Sequence, residues 1–223
     1  MLGALGVVAA YVHRLKTGAG QLVDTSLFEA GIHQTFWHAA IYFATGESLG
    51  PSGSAHILSA PYQAFQAADG WLTIGGANQA NWERMVRVLN APEWLADARF
   101  ASNSERMKNL GALVELMNAR ISTWKVKDLL AALDAAGVPC GPINSIAEVA
   151  ADPQALAREM VVELDHPRAG RTRALGLPVK LSATPGGVRR PAPTFGQHTR
   201  EVLGEFGFSG AEIDALYAAN AVA

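Results

Sequence analysis

Cysteine is almost missing from this chain, with Cys140 the only one in 223 residues. A lone thiol closes no internal disulfide and has no companions for a structural zinc site, so a reducing, cytoplasmic setting is expected. Charge is scarce as well: charged residues make up 17% of the chain, and 18 basic against 20 acidic side chains leave a formal charge of −2. That balance offers no electrostatic reason to bind nucleic acid or an anionic membrane surface. No internal repeat or low-complexity tract is present. No apolar run reaches the roughly 20 residues that a membrane span requires. The apolar opening, Met1 to Val12, is followed rather than preceded by His13, Arg14 and Lys16, the reverse of a secretory signal.

What the chain does have is apolar side chains, 49% of the total, which excludes general disorder and suffices for one large domain or two small ones. Leu2 to Lys16 reads as a helix stopped by Thr17-Gly18-Ala19-Gly20. Gln21 to Thr25 reads as a short strand. Ser26, with Glu29 three residues on, forms a capping box that opens a second helix running to Gly46. The polar residues of that helix, His33, Gln34, Thr35 and His38, make too narrow a wet face for an isolated surface helix. The first 45 residues therefore resemble the interior of an α/β layer structure whose covering elements lie outside this stretch.

Gly46 to Ala60 is a long loop, which suggests function or a domain boundary. Beyond it, Tyr62 to Gln66 and Trp71 to Gly75 flank the hairpin signal Asp69-Gly70. Helices are predicted at Gln79 to Leu89, Ser104 to Ser122 and Val126 to Ala136, the second with Met107, Leu110, Val114, Met117 and Ile121 on one face. The turn Gly137 to Pro142 closes that block. Further on, short helices are expected near Ile146 and Pro153, strands at Val161 to Leu164 and Leu177 to Leu181, and a linker from Thr184 to Pro193. Helices Gln197 to Phe206 and Ser209 onward, the latter with the capping box Ser209 and Glu212, finish the chain.

Several constellations carry both a chemical and a plain reading. His33 and His38, five apart, diverge by about 140° on an α-helix, which disfavours a metal pair. Asp24 ends the predicted strand, where open α/β sheets place ligand residues, but local capping explains it more simply. Cys140 lies between prolines with no adjacent histidine and reads as a packing thiol. Gly75-Gly76-Ala77-Asn78-Gln79 joins a strand to a helix and can present N–H groups to an anion, while Asn78 serves equally as an N-cap. The loop Gly50 to His56 reads either as a mobile cover over a site or as a solvated linker.

Taken in order, the stretches Lys16-Thr17-Gly18-Ala19-Gly20-Gln21-Leu22-Val23-Asp24, Gly53-Ser54-Ala55-His56, Ala60-Pro61-Tyr62-Gln63-Ala64-Phe65, Asp69-Gly70 and Gly75-Gly76-Ala77-Asn78 resemble the class III CoA-transferase family. So do Gly137 to Pro142, Asp152-Pro153-Gln154 and Ala192-Pro193-Thr194-Phe195-Gly196-Gln197-His198-Thr199. That family includes formyl-CoA and carnitine CoA-transferases and the α-methylacyl-CoA racemases. The resemblance implies a class III CoA-transferase architecture of fold class α/β: a partial Rossmann-like large domain over residues 1–46, a small α/β domain over 47–145, and a return linker with C-terminal helices of the large domain over 146–223. It implies an interlinked homodimer or a missing N-terminal half, because the family's catalytic aspartate lies ahead of the helix that opens at Leu2 and Asp24 is not its equivalent. The expectation is a fragment, a mis-started frame or a split subunit with no catalytic residue of its own, inactive and prone to associate when alone.

The chemistry implied is acyl-CoA:carboxylate CoA transfer, in which a carboxylate attacks an acyl-CoA thioester and CoA passes to an acceptor carboxylate. Coenzyme A thioester enters as substrate, with no tightly bound cofactor and no metal. Substrate-binding residues on the small-domain side are expected to be Gly50, Gly53, His56, Tyr62, Gly75, Gly76 and Asn78, the glycine loop excluding water. The racemase alternative needs a proton-exchanging pair, and some racemases carry an acid near the position of Asn78, which is neutral here. A non-catalytic assembly partner is the third reading.

Overall fold

The computed structural model describes residues 1–223. It begins with three helices, α1 (Leu2–Thr17), α2 (Leu27–Gln34) and α3 (Phe36–Thr45). Helix α1 ends where its glycine signal predicts: Gly18 adopts φ 79° and donates its N–H to Arg14 O. The capping box of Ser26 and Glu29 opens α2. The predicted single helix from Ser26 is interrupted at Thr35, whose hydroxyl donates to Ile32 O at 2.7 Å while its N–H also turns back to Ile32 O. A threonine hydroxyl competing for the helix carbonyls tightens that turn and breaks the run.

The strand expected at Gln21 to Thr25 does not form; the segment is irregular. A strand needs a ladder partner, and none of residues 1–46 forms one. Instead the segment lies along the glycine face of α1, where a Cβ on Gly6 would come within 2.7 Å of Val23 Cγ1 and one on Gly3 within 3.5 Å of Thr25 Cγ2. Asp24 therefore does not sit at a strand end. None of α1, α2 and α3 contains a buried residue, and Leu27, Phe28 and Phe43 are each more than three-quarters exposed.

The strands β1 (Tyr62–Gln66), β2 (Trp71–Gly75) and β3 (Cys140–Pro142) form a sheet in the order β1-β2-β3. The β1–β2 connection is a four-residue turn, closed by Ala67 N–H donating to Gly70 O at 2.8 Å. Asp69-Gly70 thus sits in the hairpin, but neither residue has a positive φ, so the mirror-image two-residue turn is not used. Asp69 instead spends its side chain elsewhere: Oδ1 accepts from Val126 N at 2.8 Å, at the start of α8 (Val126–Ala135), and Ala68 N–H donates to Trp124 O. Strand β3 runs antiparallel to β2, with Ile143 N–H donating to Trp71 O and Gly75 N–H to Pro139 O. The sequence reads it only as a turn because its proline and glycines mask an edge strand.

After β2 come α4 (Gln79–Val88), the short α5 (Glu93–Ala96), a 3-10 turn (Ala98–Phe100), α6 (Asn103–Lys108) and α7 (Leu110–Ile121). The predicted Ser104 to Ser122 helix is split at Asn109, whose amide donates to Glu105 O at 2.9 Å and to Arg99 O at 3.4 Å. The break shifts the inward face, so Leu113, Met117 and Ile121 are fully buried while Leu110 and Val114 are only half-buried. The chain ends with α9 (Ile146–Ala151), α10 (Pro153–Ala157), the hairpin β4 (Val161–His166) and β5 (Gly170–Leu175), α11 (Thr199–Glu205) and α12 (Gly210–Ala218).

The second strand of that hairpin is not Leu177 to Leu181, which is irregular. Strand β5 alternates Arg171 and Arg173 outward with Thr172 and Ala174 inward, and Arg173 lies opposite Glu163. Opposite charges across a pair favour this register over an apolar stretch with no partner. Capping boxes open α9 and α12, and hydrogen bonds from Ser145 and Ser209 hold the Glu148 and Glu212 carboxyls below their ordinary range. That stabilisation is present above the ordinary glutamate value and is lost as pH falls through the depressed one.

Two compact units emerge. One comprises residues 1–64, 74–120 and 133–139, and its core holds Ile74, Trp82, Met85, Val86, Leu89, Phe100, Leu113 and Met117. The other comprises 65–73, 121–132 and 140–223, with Phe65, Leu72, Ile121 and Leu129 fully buried. No helix is long and apolar enough to cross a membrane.

Candidate functional site

All the predicted site residues fall in the first unit. Three of them meet. His56 reaches its place because its own N–H donates to Tyr62 O at 2.9 Å, joining the end of the Gly46 to Ala60 loop to the first residue of β1. Its ring stacks on that of Tyr62, with centroids 5.3 Å apart and planes within 8°, and the edge of Trp37 approaches at 6.3 Å. His56 Nδ1 accepts from Leu58 N at 3.1 Å, so in the neutral ring the proton resides on Nε2. Gly75 lies under the same cluster: a Cβ there would meet Pro139 Cβ at 3.3 Å and Tyr62 Cε2 at 3.8 Å.

Gly76 is buried beside this group, and a Cβ would press on Met85 Sδ at 3.0 Å and Pro61 Cγ at 3.3 Å. Its absence of a side chain is a close-packing requirement. Asn78 is the N-cap of α4, with Oδ1 accepting from Asn81 N at 2.8 Å. The plain reading of its side-chain oxygen is thus realised. Gly50 and Gly53 stand apart, with nothing within 4 Å of a Cβ at either; Gly53 has φ 62°, a conformation suited to glycine. The loop is held to β1 where Ser54 Oγ accepts from Ala64 N at 3.1 Å, besides the His56 bond to Tyr62 O.

The residue that sequence reasoning overlooks is Arg106. It is fully buried, yet no carboxylate faces it. Its Nε donates to Ala60 O at 2.7 Å, one terminal nitrogen to Gln79 Oε1 at 3.0 Å and Phe100 O at 3.1 Å, and the other to Ala77 O at 2.8 Å. The guanidinium also lies over the Trp82 ring, 5.0 Å from its centroid. Burial lowers its pKa from the ordinary arginine value. Asn103, on the same helix, adds two bonds, accepting from Ala60 N at 3.0 Å and donating to Leu58 O at 2.9 Å. Helix α6 therefore ties the segment ahead of β1 to the turn after β2, which carry the candidate residues. A sequence signal did exist: an arginine on the inward side of a run otherwise apolar at helical spacing.

No group of three or more histidine, cysteine, aspartate or glutamate side chains gathers that can hold a metal ion. The corner made by His56, Tyr62 and the Gly75 to Asn78 turn offers hydrogen-bond donors and an aromatic wall. It can orient an oxygen-rich ligand, and none of its side chains is an acid.

Comparison with known proteins gives a consistent picture. The family described as CoA-transferase family III matches residues 1–199. Succinyl-CoA:glutarate CoA-transferase of Mus musculus is 32% identical over 199 residues, covering 89% of this chain and 46% of that protein. Succinyl-CoA--D-citramalate CoA-transferase of Chloroflexus aurantiacus is 31% identical over 201 residues, covering 90% of this chain and 50% of that one. Among solved structures, a CAIB/BAIF family protein from Brucella suis superposes with a TM-score of 0.77 at 34% identity, over 90% of this chain and 52% of that chain. The chain spans about half the length of the curated relatives it matches.

Proposed function

The chain belongs to CoA-transferase family III, and from that premise we propose that it forms part of an enzyme moving coenzyme A from an acyl-CoA donor to an acceptor carboxylate. The observation that carries this reading is the similarity to named succinyl-CoA-dependent transferases over nine-tenths of the chain. In this reading residues 1–46 belong to a large Rossmann-like domain, 47–145 to a small α/β domain, and 146–223 return to the large one. The His56 and Tyr62 corner, with Gly75, Gly76 and Asn78, lines the wall facing the acyl group, and the open loop at Gly50 and Gly53 covers it. The neutral Asn78, its oxygen committed to capping, favours transfer over racemisation because it supplies no base.

The reaction needs a carboxylate nucleophile, donors for the thioester oxygen and exclusion of water from an anhydride. This chain contributes the latter two, and the nucleophile is proposed to come from a polypeptide segment other than residues 1–223. The setting is a reducing cytoplasm. The test is CoA exchange from succinyl-CoA to isotopically labelled glutarate, followed by mass spectrometry. The chain by itself is expected to show no exchange, and exchange is expected once the amino-terminal half of a family member is supplied. Racemisation of a chiral 2-methylacyl-CoA without exchange overturns the transferase reading, and turnover by the lone chain overturns the division of labour.

The uncovered faces of α1, α2 and α3 are proposed as surfaces covered in the assembled enzyme, by a further polypeptide segment or an interlinked second subunit. Burying one large apolar side chain is worth about 1.5–3 kcal/mol, and Phe28, Ile32, Phe36 and Trp37 are all about half exposed or more. The purified chain is therefore expected to sediment as concentration-dependent oligomers; a monodisperse monomer across the concentration range counts against covered faces.

A further inference from the structure

We propose that His56 and Tyr62 act together as a carboxylate-binding pair, one donating from Nε2 and the other from its phenolic hydroxyl. Both rings are held in place by contacts that leave those donors unused. His56 Nδ1 is occupied by Leu58 N–H, its face lies against Tyr62, and its backbone is bonded to Tyr62 O. Neither Nε2 nor the Tyr62 hydroxyl has a hydrogen-bond partner within the chain, and no buried side-chain nitrogen or oxygen is left unpaired anywhere. The unpartnered Nε2 of this half-buried histidine is therefore accessible from outside. Tyr62 is held over Gly75, where a β-carbon would touch its ring.

Two donors on one stiff stack suit a ligand with two acceptor oxygens and a negative charge. A donor bonded to an ionised acceptor is stronger than one bonded to a neutral acceptor. No aspartate or glutamate bonds to either ring, so nothing within the chain competes for the pair. The choice of a carboxylate rather than another anion rests on the acyl-transfer reading above. Because the ring is already fixed, binding costs little ordering of the side chains.

The test is nuclear magnetic resonance of the full chain with labelled histidine, titrated with succinate and, as a control anion, sulfate. Succinate is expected to shift the His56 ring signals, assigned by their loss in His56→Asn, with sulfate giving a weaker effect. His56→Asn retains an acceptor for Leu58 N–H but lacks the distal donor, and Tyr62→Phe retains the stack but lacks the hydroxyl. Each is expected to weaken succinate binding by about ten-fold or more, the loss implied by one hydrogen bond to a charged group. His56→Gln, which restores a donor near the Nε2 position, is expected to recover part of it.

Absence of a succinate-dependent shift at His56, an equal response to sulfate, or unchanged affinity in Tyr62→Phe and His56→Asn overturns the pair. The functional reading fails separately. Succinate binding at the pair with no CoA exchange in any assembly leaves the pair standing and removes the transferase. Exchange with an acceptor KM unaffected by both variants does the reverse.

Discussion

Arg106→Met is expected to destabilise the chain by about 3–5 kcal/mol, because it leaves the carbonyls bonded to that guanidinium without a donor. Two effects oppose each other. Removing an arginine with no carboxylate partner relieves the desolvation of its charge, which argues for stabilisation. Methionine, however, has no donor, and its introduction strands the buried Ala60 O and Phe100 O and the half-buried Ala77 O, while the exposed Gln79 Oε1 turns to water. Each buried acceptor left unpaired costs roughly 1–3 kcal/mol. The three stranded acceptors are main-chain carbonyls that no side-chain repacking can remove, so the loss outweighs the relief. Arg106→Lys keeps the charge but not the planar fork, and an ammonium cannot satisfy acceptors spread around a guanidinium. It is expected to fall between wild type and Arg106→Met. Urea unfolding with an unchanged slope and a lowered midpoint is the measurement. A midpoint for Arg106→Met equal to that of wild type removes Arg106 as the tie between the two segments.

The second large effect is expected from an equally small change, Gly176→Ala. A Cβ at this buried position would land on the Glu159 carbonyl oxygen, with Glu159 C at 3.0 Å and Met160 Cα at 3.3 Å. These are backbone atoms, so no rotamer change relieves the contact. Glu159 is already strained, with φ 54°, and Gly176 N–H donates to Met160 O at 3.0 Å. Moving the chain to admit a methyl group pulls against both. The expected loss is about 3 kcal/mol, at the upper end of ordinary overpacking, with faster amide exchange in β4 and β5. Gly187→Ala is the control: nothing lies within 4 Å of its added carbon, and it is expected to change stability by less than about 0.5 kcal/mol. Equal stability of the two variants contradicts the packing described at Gly176.

Local rules written into the sequence account for much of this molecule. The boxes at Ser26 and Ser209, the glycine stop at Gly18 and the strands either side of Asp69-Gly70 need only a few neighbouring residues to be read, and they stand in the structure. What went unread depends on pairings outside the segment or on single polar side chains inside an apolar run. Gln21 to Thr25 has strand composition, but a strand is a pairing, and its side chains pack on α1 instead. Strand β5 looks too polar until Glu163 is placed opposite Arg173. Thr35 and Asn109 each interrupt a helix whose apolar spacing runs through them, because their side chains take up carbonyls that the helix would use.

The candidate site divides in the same way. The family resemblance selects His56, Tyr62 and Gly75 from separate motifs, and the structure brings those three together. Asn78 proves to be a helix cap, and a side chain added at Gly50 or Gly53 would meet nothing. Arg106 leaves only a faint trace in the sequence, its place on an apolar helical face, because a buried arginine bonded only to carbonyls has no charged sequence partner.

Asp69 has one carboxyl group with two jobs, sitting in the turn of the β1–β2 hairpin while Oδ1 receives the first N–H of α8. Together with the bond from Ala68 N–H to Trp124 O, it fastens the hairpin tip to a helix start far along the chain. The tip cannot fray without also unlatching the helix, so these two pieces are expected to exchange their amide hydrogens as one cooperative block. Kinetically, that makes the tip a poor place for proteolytic nicking despite its exposure.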